Sequence, residues 1–181
     1  MFFINKKKLK LVAPDLTYKK SFLKLVQKAV LSSEKIPWFI EYSLYDFEGI
    51  VKILNDNAEN KSLKENEVQS STYFAVFGKK VAGVINIKHR LNEKLKIYGH
   101  IGYYVSLAYR KKGIATKMLQ LALVESEKLN LDTVTICVDK NNIASKKVAI
   151  KNDLTLTDEF FDKNQNIMIE RYSLKLRKHT E

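Results

Sequence analysis

The segment YRKKGIATKML, residues 109–119, places three cationic side chains directly before a glycine, at the point where a helix is predicted to begin. The N–H groups of a helix N-terminus already carry a partial positive charge, which makes additional cations unfavourable there. An anionic ligand would remove this conflict, because a helix N-terminus binds phosphate through its exposed N–H groups. We therefore expect a loop and a helix N-terminus that bind an anion.

The chain before this segment is rich in β-forming residues. Runs at residues 72–77, 81–89 and 96–107 are separated by GKK, in which Gly78 takes the geometry of a tight turn, and by the short connection 90–95. Connections of this length join neighbouring strands, so the three runs predict an antiparallel meander.

The chain after the segment alternates between helix and strand. Apolar residues at helical spacing predict a helix from residue 114 to about Asn130. A strand in DTVTICV follows, and then a short helix in NNIASKKVAIKN that is capped by Asn141 or Asn142. The runs DLTLTDEFF and IMIERYSLKL predict two final strands joined by a turn. Strands on both sides of a helix–strand–helix unit predict an α+β domain with a mixed sheet.

The first seventy residues predict a smaller set of elements. A short strand at 9–13 precedes a helix to about Leu31, and a second helix to about Leu54 follows a break that contains Pro37. Residues 55–71 are polar and predict a long surface loop. At 181 residues the chain has the length of one domain.

Composition limits the possible functions. The formal net charge is +12, but the lysines are scattered, and no helix-turn-helix or aromatic RNA-binding motif is present, so nucleic-acid binding has weak support. A single cysteine, Cys137, excludes a disulfide framework within the chain. The N-terminal residues lack the pattern of a signal peptide and no apolar run reaches membrane-spanning length. We therefore expect a soluble cytoplasmic protein.

The glycine segment matches neither of two common phosphate-binding loops, the Walker loop and the Rossmann turn. Residues 110–115, RKKGIA, instead resemble the R/Q-x-x-G-x-G/A pyrophosphate loop of the GCN5-related N-acetyltransferases (GNAT). The resemblance extends over residues 71–176 in the order of predicted elements. The stretches INIKHRLNEKL, YGHIGYYV and NIASKKV also resemble a bacterial branch of predicted acetyltransferases without an assigned substrate.

This resemblance implies the fold and the domain organisation. The expected fold is α+β, with a central mixed, mostly antiparallel sheet of about seven strands flanked by about four helices. One acetyltransferase domain is expected over residues 1–181, with an N-terminal part at 1–70, an acetyl-CoA-binding core at 71–176 and a tail at 177–181.

The resemblance also implies acetyl-CoA as the co-substrate. Small residues at Gly113 and Ala115 allow close approach of the backbone, so N–H groups from about Lys111 to Thr116 can surround a pyrophosphate. In the family the strand before the loop splays from its neighbour at a bulge, and the gap holds the pantetheine arm. Asn142 either binds this arm or only caps a helix. The implied cofactor-binding residues are Val105, Ser106, Leu107, Arg110, Lys111, Lys112, Gly113, Ile114, Ala115, Thr116, Asn142 and Ser145.

Acetyl transfer to an amine benefits from a base and an acid. His100 stands where many GNAT relatives have a glutamate base, and its alternative role is that of a structural strand histidine. Relatives often carry a tyrosine that serves as the general acid, in the pattern N-x-x-A-x-x-x-Y. Counting from Asn142 places Ala149 at that position in this chain. Tyr103 and Tyr104, one on each sheet face, are candidate substitutes, with aromatic packing as the alternative role. The thiolate could also leave unassisted.

These observations predict an N-acetyltransferase that moves an acetyl group from acetyl-CoA to a primary amine of a small molecule or peptide, by direct transfer in a ternary complex. The missing tyrosine supports an alternative, a catalytically silent coenzyme A-binding or regulatory module. A basic nucleic-acid binder is a third hypothesis that rests on charge alone. No metal site is expected, because the histidines and the cysteine are scattered. The oligomeric state, monomer or homodimer, is open.

Overall fold

The computed structural model describes residues 5–61, 63, 65 and 67–177, so the predicted loop at 55–71 and the predicted tail at 177–181 lie partly outside it. Within the described residues the α-helices are α1 (Lys19–Leu31), α2 (Trp38–Tyr42), α3 (Phe47–Ala58), α4 (Ile114–Lys128) and α5 (Ile143–Ile150). The strands are β1 (Lys10–Val12), β2 (Ser70–Phe77), β3 (Lys80–Lys88), β4 (Ile101–Val105), β5 (Thr133–Asp139), β6 (Thr155–Asp162) and β7 (Ile167–Lys175). The α+β class predicted from the sequence is confirmed.

The seven strands form two sheets. One sheet has the order β1-β2-β3-β4 and the other has the order β5-β7-β6. All hydrogen-bonded neighbours in these two sheets are antiparallel. The predicted meander is therefore confirmed as β2, β3 and β4, while the sheet implied by the resemblance is divided between β4 and β5.

The two sheets meet at one narrow junction. Gly99 forms an isolated antiparallel bridge with Ile136, and the N–H of His100 donates to the Thr135 carbonyl at 2.7 Å. A Cβ on Gly99 would lie 2.5 Å from the Thr135 carbonyl oxygen, so this close approach requires a glycine. Beyond the junction β4 and β5 belong to different sheets and share no further bridge among the described residues.

On its other side β4 keeps a regular pairing with β3. β4 pairs with β3 without a register shift, from Ile87 opposite Ile101 to Gly83 opposite Val105. The bulge that the resemblance implies for this strand is therefore not seen in its pairing with β3. The register shift in this sheet lies instead between β2 and β3, at Ala75.

The two faces of the four-stranded sheet pack against different helices. On one face Met118 of α4 is fully buried together with Ile85. On the other face the ring centroids of Phe22 from α1 and Phe74 lie 4.7 Å apart. Because successive residues of a strand point to opposite faces, Tyr103 packs on the α4 side and Tyr104 packs on the α1 side.

The N-terminal helices follow the prediction with three changes. The second helix, expected to end at about Leu54, continues to Ala58, so the start of the predicted loop at 55–71 is helical. The helix that ends at Leu31 is present, but the predicted break after it contains α2. The Pro37 carbonyl accepts the N–H of Ile40 at 3.0 Å, and the fixed φ of proline favours such a helix start. Helix α3 begins directly after Asp46, because the Asp46 carboxylate accepts the N–H of Gly49 at 2.8 Å and caps the helix.

The strand before the glycine segment is shorter than predicted. The run at 96–107 forms a strand only over Ile101–Val105. Before it, the N–H of Gly99 donates to the Leu95 carbonyl at 3.0 Å and closes a turn. After it, a short 3-10 helix at Leu107–Tyr109 leads the chain out of the sheet and into the glycine segment.

Candidate active site

The loop between β4 and α4 has a backbone suited to an anion. Lys111 has φ 56° and Gly113 has φ 72°, so both adopt the left-handed conformation. Gly113 is the N-cap of α4, and no side chain caps this helix. The first N–H groups of α4 therefore lack an acceptor within the helix, and N–H groups around a left-handed turn form a concave anion site.

A cavity of about 560 Å³ opens in front of this loop, between β4 and α5. The predicted site residues that line it are Tyr103, Tyr104, Val105, Arg110, Lys111, Gly113, Ile114, Ala115, Thr116, Asn142 and Ser145. The predicted residues that are not part of its lining are His100, Ser106, Leu107 and Lys112. We call this space the cofactor cavity, since its lining includes Gly113 and the first three residues of α4, where the resemblance implies an anionic cofactor.

One face of α5 lines the cofactor cavity and was not predicted from the sequence. The lining residues from this face are Ala144, Lys147, Val148 and Lys151. Their spacing of three, four and seven residues is that of one helix face, and this pattern is the signal that could have identified them. The two lysines add positive charge to a cavity that already ends at a helix N-terminus.

Arg110, the first residue of the predicted pyrophosphate motif, is engaged by the protein itself. Its Nε donates to the Val105 carbonyl at 2.8 Å, and its Nη2 donates to Oε2 of Glu34 at 2.9 Å. Its Nη1 also contacts Glu34, which makes the pair bidentate. The guanidinium therefore holds the end of β4 against the segment after α1, rather than standing free for a phosphate.

Tyr104 belongs to the same cluster. Its hydroxyl donates to Oε2 of Glu34 at 2.6 Å, and the Arg110 guanidinium lies 5.4 Å from its ring centroid. Burial raises the pKa of Tyr104, and the Glu34 carboxylate raises it further, so its hydroxyl keeps its proton. Sequence reasoning missed Glu34, because nothing in its local pattern indicates a partner 70 to 76 residues away.

Two lysines near the loop have unexpected positions. Lys112 donates to the Ala108 carbonyl at 2.6 Å and so folds back on the loop. Lys6, in a short 3-10 helix at Lys6–Lys8, lies over Gly113, where its Nζ would be 3.1 Å from a Cβ at residue 113. Lys6 therefore brings a cation to the glycine of the loop from the N-terminal segment, which sequence analysis did not connect with it.

Ser106 contributes to strand pairing at the end of β4. Its N–H donates to the Ala82 carbonyl at 2.9 Å, which continues the pairing with β3 by one residue. With the Val105 carbonyl taken by Arg110, these two backbone groups are already paired within the protein. A pantetheine contact in this region would use the remaining backbone groups at the edge of β4.

Tyr103 points its hydroxyl into the molecule on the α5 side. Among the described residues, the buried Tyr103 hydroxyl has no hydrogen-bond partner. Burial raises the pKa of Tyr103, and the nearby Ser145 side chain opposes this rise without a well-formed hydrogen bond between the two hydroxyls. A buried hydroxyl without a partner costs about 1–3 kcal/mol. The Tyr103 hydroxyl is therefore a proton donor without an acceptor among the described residues, on a residue that lines the cofactor cavity.

Asn142 caps α5. Its Oδ1 accepts the N–H of Ser145 at 3.0 Å, which confirms the capping role and identifies Asn142 rather than Asn141 as the cap. Asn142 also lines the cofactor cavity. Its amide nitrogen is not used in the cap, so a contact with a ligand is compatible with capping.

His100 lies at the junction of the two sheets. Its Nδ1 accepts the N–H of Thr135 at 3.1 Å, so Nε2 carries the proton of the neutral ring. Burial lowers the pKa of His100, and the nearby Lys88 ammonium lowers it further. A ring whose free nitrogen already carries a proton is poorly placed to accept another. Its role as a base remains a prediction, while this geometry supports the structural alternative.

A second cavity of about 320 Å³ lies on the α1 side of the four-stranded sheet. Its lining comes from the start of α2, from β3 and from β4: Pro37, Phe39, Ile40, Val84, Asn86, Lys88, Gly102, Tyr103 and Tyr104. Tyr103 and Tyr104 line both cavities. We call this space the acceptor cavity; Tyr103 and Tyr104 are the two residues that its lining shares with the lining of the cofactor cavity.

In the described part of the chain, no group of three or more His, Cys, Asp or Glu residues could hold a metal ion. None of the helices formed by residues 5–61 and 67–177 is long and apolar enough to span a membrane.

The fold and the site define a class of protein, an α+β structure with a cavity at the N-terminus of a helix that follows a central strand. Residues 13–155 match the family model described as an acetyltransferase (GNAT) domain. This match covers more than half of the sequence, and the chain therefore belongs to the GNAT acetyltransferase family. No curated protein matches the chain.

Solved structures have the same fold. The microcin C7 self-immunity acetyltransferase MccE, in complex with acetyl-CoA and AMP, has a TM-score of 0.69 at 18% identity, over 93% of this chain and 92% of that chain. RimL, a ribosomal L7/L12 α-N-protein acetyltransferase in complex with coenzyme A, has a TM-score of 0.68 at 20% identity, over 93% and 94%. An acetyl transferase from Salmonella typhimurium that modifies the N-terminal serine of L7/L12 has a TM-score of 0.68 at 17% identity, over 93% and 95%.

Proposed function

We propose that the protein is an acetyl-CoA-dependent N-acetyltransferase that acts on a primary amine of a small molecule or peptide, by direct transfer in a ternary complex. The observation that carries this proposal is that two cavities share Tyr103 and Tyr104 in their linings. A donor in one cavity and an acceptor in the other would meet at β4, as direct transfer requires. The solved structures support an amine acceptor, since RimL is a protein α-N-acetyltransferase.

The residues that would hold the cofactor are those of the glycine loop and of α5. The N–H groups from Lys111 to Thr116 suit a pyrophosphate, because they are concave and uncapped. Lys6, Lys147 and Lys151 would add cations around its phosphates. Bound acetyl-CoA supplies the acetyl thioester.

Tyr103 is the candidate acid. Transfer forms a C–N bond, breaks a C–S bond and leaves a thiolate that needs a proton. The Tyr103 hydroxyl is protonated, buried and unpartnered among the described residues, and the Tyr103 residue lines the cofactor cavity. It would therefore replace the tyrosine that relatives place where this chain has Ala149. The proton lost by the amine would leave through water.

Calorimetric titration with acetyl-CoA tests the cofactor site. Gly113→Glu should abolish binding, because residue 113 has a left-handed φ and the new carboxylate would occupy the anion site. Gly78→Glu is the matched control, since Gly78 also has a left-handed φ, but a Cβ there would have no neighbour within 4 Å. In the same series Lys6→Met should weaken binding about 10-fold, and Lys7→Met should leave it within about 2-fold.

The result that would contradict the proposal is the absence of acetyl-CoA binding by the wild-type protein, or equal binding by the Gly113→Glu and Gly78→Glu variants. Unchanged binding in Lys6→Met would remove Lys6 from the site without affecting the rest.

A silent coenzyme A-binding module is the second candidate. It is favoured by Ala149 at the usual tyrosine position and by the hydrogen bond that His100 Nδ1 already accepts. The two functions differ in turnover. An acetyltransferase releases free thiol from acetyl-CoA only when an amine is added, whereas a silent module binds acetyl-CoA and releases none with any amine.

A further inference from the structure

The acceptor cavity has two polar side chains on one face of β3. Asn86 and Lys88 follow the core residue Val84 at intervals of two, and therefore all three share one face of the strand. Residues two apart on a strand are about 7 Å apart. Val84 pairs with Tyr104, a residue that lines both cavities, so this face of β3 leads outward from there through Asn86 to Lys88.

Lys88 has no negative partner in the described chain. It is half-buried and its Nζ donates to the Gly99 carbonyl at 3.3 Å, but none of the ion pairs among the described residues includes it. Its charge interacts with two titratable groups, His100 and Cys137. Burial lowers the pKa of His100 and raises the pKa of Cys137, so both are neutral near pH 7.

A positive charge that is removed from water in this way is unfavourable without an anion. The unfavourable environment is visible in Lys88 itself, since burial lowers the pKa of its ammonium. An anionic group on a ligand would compensate the positive charge of Lys88 and raise the pKa of its ammonium toward the usual value. The outer end of the acceptor cavity is therefore suited to a carboxylate or a phosphate.

The middle of the cavity is suited to an amine. Asn86 donates through Nδ2 to Thr72 Oγ1 at 3.0 Å. The amide oxygen of Asn86 takes no part in this bond and can accept an N–H from a ligand. Opposite Asn86 stands Gly102, which is exposed, and a Cβ there would have no neighbour within 4 Å. The space over Gly102 therefore leaves room for the chain that carries the amine.

We propose that the acceptor cavity selects amines that carry an anionic group roughly 7 Å from the nitrogen, with the anion bound by Lys88 and the amine between Asn86 and Tyr104. This inference rests on the proposed function, because it assigns the acceptor of that reaction. A peptide N-terminus with an acidic second residue and a small ω-amino acid both have this chemistry.

The experiment uses two matched pairs of acceptors. The peptide pair is Ser-Asp-Ala amide and Ser-Asn-Ala amide, and the small-molecule pair is 6-aminohexanoate and 6-aminohexanamide. Binding to the protein is measured by calorimetry, with and without coenzyme A, and acetylation is measured separately. The proteins are wild type, Lys88→Met, Lys88→Arg and Lys88→Glu, with Lys80→Met as a control at the other end of β3.

The wild-type protein should prefer the acidic member of at least one pair about 10-fold, and the pair that shows the preference identifies the source of the acceptor. Lys88→Met should remove the preference without weakening the neutral member, Lys88→Arg should keep most of it, and Lys88→Glu should reverse it. Lys80→Met should behave as wild type.

Equal binding of acidic and neutral members by the wild-type protein would overturn the inference, and so would a preference that persists in Lys88→Met. Acetyl-CoA binding distinguishes this failure from that of the proposed function, since Lys88 does not line the cofactor cavity. A protein that binds acetyl-CoA but shows no acid preference would contradict only the inference, whereas one that binds no acetyl-CoA would contradict the proposed function.

Discussion

The two cavities on either side of β4 differ in how the chain builds them. The cofactor cavity takes most of its lining from one continuous stretch, residues 103–116, and offers backbone N–H groups. The acceptor cavity combines residues 37–40, 84–88 and 102–104 and offers side chains. Backbone groups serve any chain with the same local geometry, whereas side chains from distant segments differ between chains. The comparison explains why a family is easier to infer than an acceptor.

Adjacent residues of β4 connect the two cavities. Tyr103 and Tyr104 line both, but their side chains point to opposite faces of the sheet. The Tyr104 hydroxyl is bonded to Glu34, whereas the Tyr103 hydroxyl has no partner among the described residues. The hydrogen-bonded Tyr104 therefore suits a structural role, and Tyr103, whose hydroxyl lacks a partner there, suits a chemical one.

The largest effect is expected from filling the acceptor cavity. Gly102→Val should be accommodated in β4, because a Cβ there meets no neighbour within 4 Å and β-branched residues suit strands. The valine would occupy the space of the acceptor, so kcat/KM for amines should fall about 100-fold while the Kd for acetyl-CoA changes less than about 2-fold. Gly102→Ala is the graded control, and full activity in Gly102→Val would place the acceptor elsewhere.

Removing the Tyr103 hydroxyl should separate activity from stability. Tyr103→Phe should lower kcat about 10- to 100-fold, because a proton donor is lost, and should leave the free energy of unfolding unchanged or about 1 kcal/mol higher. Tyr104→Phe should instead lower the free energy of unfolding by about 1 kcal/mol, because it breaks the bond to Glu34.

Steady-state kinetics and urea unfolding of the two tyrosine variants provide the measurements. A wild-type kcat in Tyr103→Phe would mean that the thiolate leaves without help from this residue. A loss of stability in Tyr103→Phe would show that its hydroxyl is partnered in solution.

Glu34→Gln should weaken the cluster that Glu34 forms with Arg110 and Tyr104 at the end of β4. The change keeps the shape but removes the charge that pairs with Arg110. We expect the free energy of unfolding to fall by about 1–2 kcal/mol, and the KM for acetyl-CoA to rise about 3- to 10-fold as the loop loosens. Glu41→Gln, on the exposed side of α2, is the control. An unchanged KM would show that the loop keeps its position without this pair.

The smallest effect is expected at His100, which lines neither cavity. Its pKa is lowered in the folded protein, so protonation favours the unfolded chain. The contribution of neutral His100 to the free energy of unfolding should therefore be fully present above the unfolded pKa of about 6.5. It should decline as the pH falls below that value. His100→Asn, whose Oδ1 can accept the Thr135 N–H, should reduce this decline by less than about 1 kcal/mol between pH 7.5 and 5.5.

Urea midpoints at the two pH values measure this effect. His89→Asn is the comparison, since burial also lowers the pKa of His89. The activity of His100→Asn should stay within about 3-fold of wild type. A fall of about 100-fold would instead support His100 as the base.

Sequence reasoning predicted the elements better than their limits. The strand expected at 96–107 shortens to Ile101–Val105, because the turn at Gly99 and the 3-10 helix at Leu107–Tyr109 are set by contacts with β5 and the loop. The helix α2 was missed because five residues are too few to show helical periodicity. Most of the predicted cofactor residues share one cavity, since they are close in the chain.

The partners of those residues could not be predicted. Arg110 is an implied cofactor-binding residue, and its pairing with Glu34 in the structure had no signal in the sequence. Lys6 was one of many lysines in the sequence and is placed over Gly113 only by the packing of the N-terminal segment. A charge pattern indicates that cations are near an anion site, but it does not indicate which cation is left free.

The sequence by itself therefore determined the succession of strands and helices and the glycine loop that begins α4, because both depend on residues within a few positions of one another. Only the tertiary structure decided that β4 and β5 belong to different sheets beyond Gly99, that Tyr103 is left without a partner in the described chain, and that Lys88 lies in a second cavity. The physical reason is that hydrogen bonding, burial and charge compensation depend on segments that are distant in the chain and adjacent only after folding.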